Sequence, residues 1–70
     1  MSGAARAMLE LMIEVWRDDD EGDSFRWSLW LDGKRVGMGG PHAGAAESES
    51  EAVALAERRL GRRPDRVTRL

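Results

Sequence analysis

Residues 25–38 read FRWSLWLDGKRVGM. Phe25, Trp27, Leu29 and Leu31 alternate with Arg26, Ser28, Trp30 and Asp32. A period of two is the mark of a strand with one buried face. Asp32-Gly33 follows at once, and Asp-Gly between two such runs is the strongest short-range signal for a tight hairpin. Trp30 stands on the face that the alternation assigns to water. A large aromatic ring there calls for a reason, and a partner surface is the usual one.

A second alternating run lies upstream. Leu9, Leu11, Ile13 and Val15 alternate with Glu10, Met12, Glu14 and Trp16, which predicts a strand over residues 9–17. DDDEGDS, residues 18–24, is a polar loop with Gly22 free to turn. Lys34 to Gly39 reads as a short third strand, and GGPHAG then breaks regular structure. Ser48, with Glu51 three residues later, fits a capping box that opens a helix running to about Leu60. Val53, Ala56 and Leu60 form its apolar stripe, widened by Ala52 and Leu55. Gly61 suits the C′ position, and Arg58 and Arg59 suit the negative helix end. Pro64-Asp65 turns the chain, and residues 66–70 form a short edge strand or a tail.

The fold class that follows is α+β: a three-stranded antiparallel meander, with room for a short fourth strand, and one helix on one face. Register follows from the same pattern. Arg17 opposite Phe25 puts Val15 opposite Trp27 and Ile13 opposite Leu29, so the odd-numbered apolar residues share one face. A two-residue turn puts Leu31 opposite Lys34, Leu29 opposite Val36 and Trp27 opposite Met38. The other face then gathers Met12, Glu14, Trp16, Arg26, Ser28, Trp30 and Arg35.

Length bounds the rest. Seventy residues make one domain: a fraying segment 1–7, a core 8–61 and a tail or edge strand 62–70. A chain this short buries only about 60% of its unfolded surface, so it needs help. No Cys is present, which removes disulfides and thiolate metal sites and fits the cytoplasm. One His, His42, cannot build a histidine cluster, and only a carboxylate cation site stays open. Association is the remaining aid, and a symmetric homodimer is its commonest form. No apolar run approaches the ~20 residues of a membrane span. The net charge of −2 hides a polarity. Residues 10–23 hold seven acids against Arg17, and residues 57–70 hold six Arg against Glu57 and Asp65.

Three groups of residues are candidates for contact. Met12, Trp16, Arg26, Trp30 and Arg35 on the outer face serve either as cross-strand support or as a partner or dimer interface, with Trp and Arg in their usual anchoring roles. Asp18, Asp19, Asp20, Glu21 and Asp23 share part of the spacing of a calcium loop but lack its Gly-then-distant-Glu pattern. A solvated loop is the plain reading of these acids. The sharper one is an acidic patch that docks on a basic partner. Arg58, Arg59, Arg62 and Arg63 are candidate phosphate contacts, weighed against helix-end complementarity and pairing with acids. GMGGPHAG matches neither a P-loop nor a dinucleotide fingerprint and reads as a flexible connection. No nucleophile, acid or base stands in a catalytic setting, and no cofactor or small-molecule substrate is implied.

The order β-β-β-α, carried by FRWSLWLDGKRVG and ESEAVALAERRL, resembles two small bacterial modules over residues 13–60: HicB-like antitoxins and YegP-like domains. The Pro-Asp-Gly-Cys type segment before the HicB-like helix is absent here, and no functional residue carries over. Size and charge polarity are also similar in type to small phage-encoded inhibitors, anti-CRISPR proteins among them. The expectation is a cytoplasmic, non-enzymatic inhibitory or regulatory protein that binds a protein or ribonucleoprotein partner, as a homodimer. The alternative is a nucleic-acid-binding regulator or antitoxin-like module using the Arg-rich half.

Overall fold

The computed structural model describes residues 9–18 and 24–70. The expected fraying of residues 1–7, and the acidic loop residues Asp19, Asp20, Glu21 and Asp23, lie outside the described residues. Five elements follow in order: β1 (Leu11–Asp18), β2 (Ser24–Leu31), β3 (Lys34–His42), α1 (Ala45–Leu60) and β4 (Arg66–Arg69). The sheet order is β3-β2-β1-β4. The first three strands form an antiparallel meander, and β4 runs parallel to β1. This is the expected α+β architecture with its fourth strand present.

The β1–β2 pairing matches the alternation. Arg17 faces Phe25, Val15 faces Trp27, Ile13 faces Leu29 and Met12 faces Trp30. Asp32 and Gly33 both take positive φ, 52° and 84°, as a two-residue turn of the primed kind requires. Leu31 faces Lys34 and Trp30 faces Arg35, also as expected.

Beyond that pair the expected β2–β3 register fails. Leu29 faces Gly37, not Val36, and Trp27 faces Gly39, not Met38. A bulge between Leu29 and Trp30 inserts one residue into β3. Steric room explains the shift. The Trp27 ring lies against β3 so closely that a Cβ on Gly39 would come within 2.7 Å of it. A Cβ on Gly37 would come within 3.0 Å of a Leu55 methyl. The bulge presents these two glycines to the helix side and leaves Val36 and Met38 exposed, at 39% and 53%. The glycine-rich stretch is therefore strand to His42, not the flexible connection its composition suggests.

The helix also starts earlier than expected. Gly44 is its N-cap, with extended backbone and no side-chain cap. Ser48 is not a cap: it is fully buried one turn inside, and its hydroxyl donates to the Phe25 carbonyl at 3.0 Å. A buried hydroxyl must find an acceptor, and the sheet supplies one nearer than the helix end. Ser48, Ala52 and Ala56 recur every four residues and face the sheet. Small side chains let α1 lie close to β2. Leu60, expected in the stripe, is 36% exposed. The C-terminal end follows expectation, since Gly61 has φ 67° and its amide donates to the Glu57 carbonyl.

The core consists of Leu11, Ile13, Val15, Trp27, Leu29, Ala52 and Ala56, with Leu31, Ala45, Val53, Leu55 and Val67 packed on it. Asp65 fastens β4 beside β1. Its carboxylate accepts from the Leu11 amide at 2.8 Å, and its own amide donates to the Leu11 carbonyl at 2.7 Å. Ile13 then faces Val67 across the parallel pair.

Candidate interaction surfaces

The alternation that buries Leu11, Ile13 and Val15 sends Met12, Glu14 and Trp16 to the other face, and pairing adds the rest. Across the sheet, Arg35, Trp30, Met12 and Arg66 form one row. The Arg35 guanidinium sits 5.8 Å from the centre of the Trp30 ring, a cation–π distance. Arg66 donates to the Met12 sulfur at 3.1 Å and lies 3.5 Å from the Glu10 carboxylate. Trp16 faces Arg26, whose Nε donates to Asp18 at 2.5 Å. All five residues expected on this face are thus together, and Asp18 joins them.

This face differs from a wet sheet surface in two ways. Ser28, at its centre, is only 1% exposed, so the middle is dry. Trp30 is half-buried rather than fully exposed, and its Nε1–H is sealed from solvent without an acceptor among the described residues. A buried donor left unmade costs about 1–3 kcal/mol. Glu14, half-buried between Ser28 and Thr68, has no ion-pair partner among the described residues.

A second surface lies on the helix side of β3. Because residues 37 and 39 are glycine, β3 and α1 leave a recess beside the Trp27 indole, which is itself buried. A cleft of about 340 Å³ remains, lined by Trp27, Leu55, Met38, Glu51, Arg58 and Arg59 with Gly37, Gly39 and Gly40. Glu51 ties its wall together. Its Oε1 accepts from Trp27 Nε1 at 2.7 Å and from His42 Nε2 at 2.7 Å. The His42 hydrogen bond first, and the Trp27 hydrogen bond second, hold the Glu51 carboxyl below the ordinary carboxylate range, against a small opposing effect of burial. Sequence reasoning assigns Glu51 to a cap and leaves His42 in a loop, and so misses this cluster. The available signal is that a buried indole N–H needs an acceptor.

The arginines of the C-terminal half divide in two. Arg62 pairs with Asp65 at 2.6 Å, Arg63 approaches Glu57 at 3.9 Å, Arg66 meets Glu10 and Arg69 meets Glu49 at 2.8 Å. Arg58 and Arg59 have no such partner among the described residues and stand on the cleft rim.

Comparison with family models, with characterised proteins and with solved structures finds no match for this chain. The HicB-like and YegP-like resemblance therefore rests on element order and pattern alone. Among the described residues, no helix is long and apolar enough to cross a membrane.

Proposed function

We propose that this chain is a small non-enzymatic binding protein, inhibitory or regulatory in kind, that works as a homodimer closed over its outer sheet face. The observation that carries this reading is that α1 covers one face of the sheet only, while the other presents Met12, Trp16 and Trp30. The core is small, with two of its seven residues alanine, so a second copy is the natural cover for that face. The register adds self-complementarity. A two-fold axis along the strands lays β1 of one copy over β2 of the other. Trp30 then meets Met12, and Arg26 meets Trp16, which are sulfur–aromatic and cation–π contacts. Arg35 and Arg66 approach at the margin, already engaged by Trp30 and Glu10, so added salt should not loosen the dimer.

The acid-rich run from Asp18 to Asp23 supports attraction to a basic protein or ribonucleoprotein target. The pairing of Arg62, Arg63, Arg66 and Arg69 with acids favours this reading over nucleic-acid binding. Light scattering on the purified chain and on Trp30→Ala is the test. The reading requires a dimer for the first and a monomer, still folded by circular dichroism, for the second. A monomeric parent chain, or a dimer unmoved by Trp30→Ala, overturns it.

A further inference from the structure

We infer that the free edge of β3 takes up an extended acidic peptide as a fifth strand, laid in the cleft between β3 and α1. The surface is on the helix side and at the sheet edge, apart from the outer face, so the inference does not rest on the dimer.

Three observations converge on it. First, β3 pairs with β2 alone, and among the described residues no backbone group of its other edge has a backbone partner. Unpaired strand edges are templates for another extended chain. The bulge near Val36 and Pro41 at the far end limit such pairing to the stretch around Gly37–Gly40. Second, that stretch is where β3 carries no side chain toward the helix. A strand added there places every second side chain over the cleft, beside Leu55. Third, the cleft rim holds Arg58 and Arg59. They lack the carboxylate partners that Arg62, Arg63, Arg66 and Arg69 possess. Two guanidiniums without a salt-bridge partner among the described residues, beside an unpaired strand edge, select a peptide with carboxylate side chains. Its pattern is one apolar residue beside Leu55 followed, two positions on, by Asp or Glu at the arginines.

The occupant is thus defined by chemistry: backbone amides for β3, an apolar side chain beside Leu55, and carboxylates for the rim. Glu51 lines the same cleft and feels the charge of Arg58, but its hydrogen bonds go to Trp27 and His42 and it forms no salt bridge with either arginine.

The probe is a synthetic peptide of alternating Val and Glu, matched to β3 in length and titrated into the isotope-labelled full chain. Amide shifts are expected at Gly37, Met38, Gly39 and Gly40, with a shift of the Trp27 indole N–H. Methylating alternate peptide nitrogens removes the edge hydrogen bonds and should abolish these shifts. Replacing Glu by Lys in the peptide, or Arg58 and Arg59 by Ala in the protein, should weaken binding about tenfold or more. The arginine variant should stay folded by circular dichroism, with only a small loss of unfolding midpoint from the lost charges at the helix end. Absence of shifts at Gly37–Gly40, binding that survives N-methylation, or shifts confined to Trp30 and Met12 would each overturn the inference. None of these results depends on whether the chain dimerises.

Discussion

Trp27 and Trp30 are three residues apart in one strand and meet opposite fates. Trp27 faces α1, is buried, and its indole N–H reaches Glu51. Trp30 faces away, is half-buried, and its indole N–H finds no acceptor among the described residues. Strand alternation separates the two; the helix supplies an acceptor to one side only. Glu51 makes the first case testable. Its carboxyl is held below the ordinary range, so its contribution to stability is complete above the unfolded carboxylate pKa and is lost as pH falls through the folded one. Glu51→Gln should therefore lower the urea midpoint at neutral pH, and the gap from the parent chain should shrink in acid. The gap will be modest, because the carboxylate is half exposed to solvent screening. A gap that stays constant with pH would show that His42 and Trp27 do not hold the charged form. The same side chain was legible in the sequence only as a helix-start acid, because its partners come from β2 and β3, far away along the chain.

At the scale of elements, legibility follows the physics of each pairing. The β1–β2 register could be read because two apolar alternations must share one buried face. Its eight paired positions, from Leu11↔Leu31 to Asp18↔Ser24, contain no irregularity. The β2–β3 register could not be read beyond Trp30. Val36 and Met38 look like the inward residues of β3, but the Trp27 ring at Gly39 and the Leu55 methyl at Gly37 leave little room for side chains there. Hydropathy carries no record of ring volume on the neighbouring strand. The helix start was misplaced for a related reason: Ser48 satisfies a capping pattern locally, while burial against β2 gives its hydroxyl a better acceptor. The bulge predicts an ordering of variants. Gly39→Ala must displace an indole ring and should cost about 1–3 kcal/mol. Gly37→Ala meets a flexible Leu55 methyl and should cost less. Equal costs, measured by denaturant unfolding, would contradict the observed register.

At the scale of the whole molecule, the sheet and the helix among the described residues give two sides with different work. The helix side is closed by a small core and opens at the glycine-lined cleft. The outer side carries the Met12, Trp16, Arg26, Trp30 and Arg35 group that the alternation already placed together. Edge strand β4 was foreseen as an option, but its parallel pairing with β1 depends on Asp65 bonding to Leu11, a long-range contact that turn chemistry does not reveal. Closure of the outer face on a second copy can be measured by isotope-filtered NOEs on a mixture of labelled and unlabelled chains. Intermolecular contacts are expected from the Trp30 indole to the Met12 methyl and from Trp16 to Arg26. Intermolecular contacts confined to α1 or to β4, or none at all, would contradict it.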